Sequence, residues 1–229
     1  MLDVIEEAKR EELKAKCREM KVLPPTDIFI GLQVHDKGKL IFDDVQRGHS
    51  WTRNYWNYIY GKVSNCDWTD SSFGAGYMSH KSIIESLYYT GRPVTSIRGS
   101  IMIGAANTTA GIVVGTSSAA FDIEQYALGA LITSGSGAGN LYYNASAVSS
   151  TVYTASPASW TIVGSRIFNN NSGGSIIVAE TGIYAFSYTG GAGTYWLFER
   201  SLLSPTVTVP DAAQLTVTYT IVDDFSAID

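Results

Sequence analysis

The stretch "SRIFNNNSGGSIIVAETGIYAF", residues 165–186, decides the fold class of this chain. Two runs rich in β-branched and aromatic residues flank a turn of Asn, Ser and Gly, a composition typical of strands joined by a loop. Each run also holds one charged residue, Arg166 in the first and Glu180 in the second. The stretch therefore predicts β-structure with charges inside strands, where an unpaired charge is unfavourable.

The same pattern continues through residues 97–229, where short β-branched runs alternate with Gly, Ser, Asn and Thr. Strands separated by turn residues in this way predict a β-sandwich or a jelly-roll-like domain. In "QLTVTYTIV", residues 214–222, apolar residues alternate with threonines, which predicts a strand with one buried face. Pro205 and Pro210 bracket "TVTV" and indicate an edge strand or a short connecting strand. We therefore expect a mainly β protein.

Four charged residues of this β domain form a predicted structural ion cluster. Arg166 and Arg200 are the only basic residues after residue 100. Residues two apart in a strand share a face, so Glu180 can lie between the two arginines if their strands are neighbours. Two alternatives stay open: a catalytic carboxylate at Glu180, and exposed charges that face a partner subunit. The predicted members of the cluster are Arg166, Glu180, Glu199 and Arg200.

The N-terminal segment, residues 1–25, reads as a charged helical arm. Acidic residues stand four positions before basic ones, the favourable order along a helix, and Pro24-Pro25 ends the helix. Its apolar stripe is thin, so the helix would be marginal alone. We expect it to dock on a neighbouring surface or subunit; the alternative is a solvated helix that rests on its own domain. The predicted docking residues are Leu2, Ile5, Leu13, Cys17 and Met20.

Residues 26–96 form the second predicted segment, a hairpin followed by an aromatic helix and a connection to the β domain. The turn residues Asp36-Lys37-Gly38 place the hairpin at 26–47. Residues 49–63 have helical spacing, with Ser50 as a plausible N-cap. Their aromatic stripe predicts core or interface packing, and stacking on sugars or bases is the alternative. The stripe contains Trp51, Tyr55, Trp56, Tyr58 and Ile59.

Composition excludes several function classes. The net charge of −5 gives no reason to expect a nucleic-acid partner. No apolar run is long enough to span a membrane, and the charged first 20 residues do not resemble a secretory signal. Cys17 and Cys66 have no disulfide or metal spacing, and the three histidines are scattered. We therefore expect no cofactor, no metal and no catalytic residues.

The β domain is unusually poor in charge. Residues 100–229 contain eight acidic and two basic residues among many Gly, Ser, Ala and Thr. Soluble monomers carry more surface charge than this, whereas the cores of subunit interfaces are depleted in it. The pattern predicts a surface covered by other copies of the chain or by other subunits.

Two stretches resemble structural proteins of tailed bacteriophage particles. Residues 30–61 hold a hairpin that leads into "HSWTRN", and residues 166–222 hold an Arg-x-Phe strand, an Asn/Ser/Gly turn, a Val-x-Glu-x-Gly pattern and a final Leu-x-Val-x-Tyr-x-Ile strand. Together they cover about 40% of the chain. The resemblance implies a virion protein, made in the host cytoplasm, that packs in the neck, the tail or on the capsid surface as a ring or trimer. No catalytic signature accompanies it.

A second function class stays open from the sequence. The chain has 14 tyrosines and five tryptophans, and such rings can stack on a host-surface glycan in a receptor-binding or carbohydrate-binding module. Core packing explains the same residues. An enzyme that cleaves glycans would need paired carboxylates, and the sequence nominates no such pair.

Overall fold

The protein is described by a computed structural model that covers residues 4–20, 26–48, 50–56, 80–81, 87–88, 97–98, 102–189 and 192–225, with backbone alone for residues 4–6, 80–98 and 187–194 of these. It is mainly β, with antiparallel sheets and an N-terminal helix, which confirms the predicted class. Helix α1 spans Val4–Met20, and no helix in these ranges is long and apolar enough to cross a bilayer. The strands are β1 Asp27–Asp36, β2 Lys39–Arg47, β3 His80–Lys81, β4 Leu87–Tyr88, β5 Ile97–Arg98, β6 Gly111–Gly115, β7 Tyr142–Tyr143, β8 Ala147–Val148, β9 Val152–Ala155, β10 Ala158–Asn169, β11 Ile176–Thr189, β12 Ala192–Val209 and β13 Ala213–Asp224.

The larger sheet has seven strands. Its main path runs in the order β2-β1-β13-β10-β7, and β8 and β9 also pair with β10. Strand β13 lies between β1 and β10 and is antiparallel to both. Leu215, Val217 and Tyr219 are fully buried, whereas the threonines between them are half-buried. The predicted alternation of this strand is therefore confirmed.

Among the described residues a second sheet, here called the smaller sheet, has four strands, in the order β12-β11-β5 with β6 also paired to β11. Strands β3 and β4 pair with each other in a separate two-stranded sheet. Strand β12 is an edge strand that continues through Pro205 to Val209. The β11–β12 register shifts between Val178 and Glu180, so residues 203–206 bulge out of the pairing. Proline is tolerated at such a bulge on an edge strand because no ladder hydrogen bond is lost there. The edge-strand prediction for Pro205 is confirmed.

Strands β10 and β11, which flank the turn in residues 165–186, do not pair with each other. The first belongs to the larger sheet and the second to the smaller one, so the turn crosses between sheets. Asn170 holds this crossing, because its side-chain Nδ2 donates to the carbonyl oxygens of Gly174, Val209 and Pro210 at 2.7, 2.8 and 3.0 Å. The premise that the strands of Arg166, Glu180 and Arg200 are neighbours is wrong for Arg166.

One hydrophobic core joins the two sheets. A single cluster of buried side chains contains Leu32, Phe168 and Leu215 from the larger sheet and Val178 and Leu197 from the smaller one. A polar contact crosses at the same level: the Tyr219 hydroxyl donates to the Glu199 Oε2 atom at 2.6 Å. The positions of β11 and β12 relative to the larger sheet are thus fixed by packing and by a buried hydrogen bond.

The hairpin of β1 and β2 confirms the predicted hairpin at residues 26–47. Its turn uses Lys37 and Gly38 at φ values of 50° and 80°, the left-handed pair that suits a two-residue hairpin. Strand β1 pairs with β13 along ten residues from each strand, so the hairpin is the continuation of the larger sheet. The boundary expected near residue 97 therefore does not separate the hairpin from the β domain.

Helix α1 rests on this hairpin. The buried Asp27 carboxylate accepts from the Arg47 Nη1 atom at 2.7 Å and from the Lys14 Nζ atom at 2.9 Å, and it also pairs with Arg10. Glu7 of the helix pairs with Arg47. The hydrogen bond from Arg47 lowers the pKa of Glu7. The structure thus supports the alternative reading of the arm, a helix held on its own domain.

Candidate functional site

Arg166 on β10 is the first of the predicted cluster residues, and it lies apart from the others. Its side chain is buried, and each guanidinium nitrogen donates to backbone carbonyl oxygen. The five acceptors, with their distances, belong to Asn144 (2.8 Å), Ala110 (3.3 Å), Ile112 (2.9 Å), Gly104 (3.2 Å) and Asn107 (2.7 Å). Its inclusion in the ion cluster is a wrong prediction, because five oriented dipoles occupy the donors that a carboxylate would need.

Four of the five carbonyls around Arg166 come from residues 104–112, which lead into β6, and the fifth belongs to Asn144. The Asn107 side-chain oxygen accepts from the backbone nitrogens of Thr109 and Ala110 at 2.8 and 3.0 Å, a local turn that Asn favours. The guanidinium also lies 4.8 Å from the ring centre of Tyr143, within cation–π range. Burial lowers the pKa of Arg166 to about 10, so the group remains charged at neutral pH.

Glu180 on β11 and Arg200 on β12 form the ion pair at the centre of the smaller sheet. The Arg200 Nε atom donates to the Glu180 Oε2 atom at 2.6 Å, and both side chains are fully buried. The carboxylate also accepts from the backbone nitrogens of Ala130 (2.8 Å), Gly129 (3.2 Å) and Ser117 (3.4 Å). These contacts satisfy both carboxylate oxygens, which a buried ion pair requires.

The remaining donors of Arg200 bind the same loop, residues 116–130. Its Nη2 atom donates to the Ala119 oxygen at 2.9 Å, and its Nη1 atom donates to the Gln125 Oε1 atom at 3.1 Å. A side chain at Gly115 would place a Cβ 2.4 Å from the Glu180 Oε1 atom, so only glycine allows this approach. The ion pair therefore holds the loop against the smaller sheet.

Glu199 is adjacent to Arg200 in the chain but makes no ion pair among the described residues. It is fully buried, and it accepts hydrogen bonds from the Ser201 and Tyr219 hydroxyls. Burial raises the pKa of Glu199 to about 7, and the two hydroxyl hydrogen bonds oppose that effect. Its membership of the ion cluster is therefore corrected to a hydroxyl-bonded carboxyl group that links the two sheets.

The structure brings together three of the five residues of the predicted aromatic stripe. Trp51 and Tyr55 stack with ring centres 3.8 Å apart and 16° between their planes. They pack on a small cluster with Phe198 and Trp196, and Trp56 contacts Tyr55 edge-on. Helical structure begins only at residue 53, and Tyr58 and Ile59 lie outside the described residues. Ser50 does not cap this turn; the Thr52 carbonyl accepts its first bonds, from Tyr55 and Trp56.

The predicted docking residues of α1 have different environments. Cys17 is buried, whereas Leu13 and Met20 are exposed. Leu2 lies outside the described residues, and for Ile5 only the backbone is described. Among the side chains of the stripe that the structure describes, the exposed pair is therefore the part that can contact another protein.

Sequence reasoning missed two features near this aromatic pair. The first is the set of three ion pairs that Asp27 makes with Arg10, Lys14 and Arg47. A usable signal was present, because Arg10 and Lys14 are four residues apart on one helix face, and the repulsion between two like charges there favours a nearby acidic group. The second feature is a cavity of about 440 Å³ beside Trp51 and Tyr55, which brings together residues too distant in sequence to be associated beforehand.

The described residues contain no group of three or more His, Cys, Asp or Glu side chains that could hold a metal ion. Comparison with protein-family models, with curated proteins and with solved structures finds no match for the chain. The resemblance to phage virion proteins therefore stays a prediction.

Proposed function

We propose that this chain is a non-enzymatic structural protein of a phage particle, which associates with copies of itself and packs on neighbouring neck, tail or capsid proteins. In this proposal the two sheets form a β-sandwich of jelly-roll type. The shared hydrophobic core and the buried Tyr219–Glu199 hydrogen bond support that architecture.

The observation that carries the proposal is the charge of the β domain's surface. Arg166 and Arg200, the only basic residues after residue 100, are both buried. The described surface of residues 102–225 therefore carries no basic side chain, and its charges are a few scattered carboxylates. A monomer's surface normally mixes many charges of both signs, whereas subunit interfaces are depleted in charge. This surface suits contact with protein.

Exposed apolar side chains occupy the same surface. Tyr153 and Trp160 stand directly opposite each other on β9 and β10 and are 66% and 46% exposed. We call Tyr153 and Trp160 the hairpin patch, after the hairpin of β9 and β10. Aromatic residues are enriched at protein interfaces, so the hairpin patch is the contact that we assign to self-association.

The buried charges also favour a structural role over a catalytic one. Glu180 and Glu199 are fully buried, so no substrate can reach either carboxylate in this conformation. Both are already bonded to protein groups. A general acid or base must lie within hydrogen-bond reach of its substrate, and these two do not.

Light scattering on the purified full chain tests self-association. We expect a ring or a trimer for the wild type and a smaller species for Tyr153→Lys, because a lysine there would be desolvated in the contact. Met20→Lys, at an exposed apolar position of α1, is the matched control and should keep the wild-type size. A monomeric wild type would refute the proposal.

Incorporation into particles tests the docking of α1. Leu13→Glu and Met20→Glu alter exposed side chains and leave the ion pairs of Asp27 in place, which deletion of residues 1–25 would not. We expect these variants to fold and to be lost from purified particles. Normal incorporation of both would show that α1 has no docking role.

A further inference from the structure

Two adjoining cavities open beside the stacked pair of Trp51 and Tyr55. The larger has a volume of about 440 Å³ and the smaller about 290 Å³. Trp51 and Thr26 line both, so the cavities form one groove with Trp51 at its centre. Ligand sites commonly have volumes of roughly 300–1,000 Å³, and the larger cavity falls in that range.

The walls of the larger cavity are apolar and come from both sheets. Ile162 and Ile221 stand opposite each other in the larger sheet, and Ile183 and Phe198 belong to the smaller sheet. All four line the cavity, with Trp51 and Tyr55. The smaller cavity adds two further rings, Trp56 and Phe121. Aromatic side chains are therefore spread along the whole groove.

Polar groups converge on the rim of this apolar groove. Thr26, Ser149, Thr151 and Asp223 line the larger cavity. The Asp223 Oδ1 atom accepts from the Thr26 hydroxyl at 2.6 Å, and its Oδ2 atom has no bond to any part of the chain that the structure describes. A half-buried carboxylate oxygen without a protein partner can accept from a ligand hydroxyl.

We propose that this groove binds an oligosaccharide of neutral hexopyranose units. A pyranose ring has an apolar face of C–H groups, which fits an aromatic ring, and a rim of hydroxyls, which can exchange hydrogen bonds with Asp223 and the threonines. Tyr55 stacks on one face of Trp51, and Trp51 lines both cavities, so the rest of the Trp51 ring makes the contact. Two cavities on either side of Trp51 suit adjacent sugar units.

The charges of the groove select against other ligands. Asp223 would repel an acidic sugar or a nucleic-acid phosphate at the larger cavity. Arg10 lines the smaller cavity, but its charge is already engaged by Asp27. A purely apolar ligand would leave the rim oxygen of Asp223 buried without a hydrogen bond, which is unfavourable. A neutral polyhydroxylated ring avoids both penalties.

Isothermal titration of the full chain with maltotriose, cellotriose, tri-N-acetylchitotriose and trigalacturonate tests the proposal. We expect at least one neutral trisaccharide to bind and trigalacturonate to bind more weakly. Trp51→Ala and Asp223→Asn should each weaken that binding by about tenfold, since each removes one direct contact. Tyr142→Ala, at an exposed aromatic residue that lines neither cavity, is the matched control and should bind as the wild type does.

Circular dichroism separates a lost contact from a lost fold. Trp51 packs on Phe198 and Ala185, so Trp51→Ala can unfold the protein; Trp56→Ala, at a largely exposed ring of the smaller cavity, then takes its place. Binding by none of the neutral trisaccharides would overturn the proposal, as would equal binding by Asp223→Asn and both tryptophan variants. Self-association is read separately by light scattering, so the two proposals fail independently.

Discussion

The two sheets bury an arginine each and neutralise it in different ways. In the larger sheet the hydrogen-bond acceptors of Arg166 are all backbone carbonyl oxygens, five of them within 3.3 Å. In the smaller sheet Arg200 faces a carboxylate, Glu180, at 2.6 Å, and two carbonyls and a glutamine share its other donors. Backbone dipoles stabilise the charge of Arg166, and the carboxylate of Glu180 stabilises the charge of Arg200.

This difference indicates which substitution should destabilise each sheet most. Arg200 has one counter-charge, and removal of Glu180 leaves a buried full charge with only three neutral acceptors in a region of low dielectric constant. Arg166 shares its charge among five partners on two segments, so no single acceptor decides its stability. Removal of Arg166 itself takes the charge away and leaves only neutral acceptors behind. The smaller sheet should therefore respond more strongly to a single change.

Glu180→Ala should have the largest effect, a loss of about 3–5 kcal/mol in the free energy of unfolding. The variant leaves Arg200 buried and unpaired, and three backbone N–H groups of the loop at 116–130 lose their acceptor. Urea unfolding followed by circular dichroism measures the change, and light scattering measures assembly.

A double-mutant cycle is the control for this prediction. Arg200→Met together with Glu180→Ala removes both charges, so the double variant should be more stable than the sum of the single effects predicts. Additive effects, or a Glu180→Ala variant with unchanged melting and assembly, would contradict the role of the ion pair.

Arg166→Met should have a smaller effect, a loss of about 2–4 kcal/mol. Methionine keeps much of the side-chain length but donates no hydrogen bond, so the carbonyls of residues 104–112 lose their common donor. Hydrogen exchange should show faster opening of this segment, while the loop at 116–130 should be unaffected.

Arg166→Lys serves as the graded comparison. Lysine keeps the charge and has three donors in place of five, so its stability should lie between the wild type and Arg166→Met. If Arg166→Met destabilised the protein more than Glu180→Ala does, the claim that the smaller sheet responds more strongly to the loss of one charged group would be wrong.

The strands were predictable because their signals are local. Residues 213–225, 159–170 and 174–186 have β-branched runs bounded by turn residues, and they form β13, β10 and β11. The run at residues 96–104 has the same composition, yet of its described residues 97–98 are in a strand and 102–104 are irregular. There the carbonyl of Gly104 bonds to Arg166, a tertiary contact that overrides strand propensity.

The candidate sites were predictable only in part, because strand pairing is not local. Parity along a strand indicates which residues share a face, but it does not indicate which sheet a strand joins. Glu180 and Arg200 meet because β11 and β12 are sequential neighbours, whereas Arg166 is separated from them by the crossing at Asn170. The groove beside Trp51 combines residues from positions 26 to 223, and no sequence window contains both.

Glu199 is a third case, because among the described residues this buried carboxyl group has no ion pair and accepts from no backbone N–H group, and only the charge of the neighbouring Arg200 acts on it. Its hydrogen bonds come from the neutral hydroxyls of Ser201 and Tyr219, and burial raises its pKa from 4.5 to about 7. The folded state therefore binds the proton more tightly than the unfolded state. That contribution to stability is fully present below about pH 4.5 and is lost as the pH rises to about 7.

The third prediction, the smallest in effect, follows from this titration. Relative to Glu199→Gln, which stays neutral and keeps nearly the same shape, the wild type should lose on the order of 1–3 kcal/mol between pH 5 and pH 8. Urea unfolding of both proteins across this range measures the difference, and the comparison cancels the opposite trend of Glu7, whose pKa is lowered by Arg47. If the unfolding free energies of both proteins changed in parallel with pH, Glu199 would be ionised over the whole range. Two hydroxyl hydrogen bonds would then stabilise a buried carboxylate as well as the Arg200 ion pair stabilises Glu180.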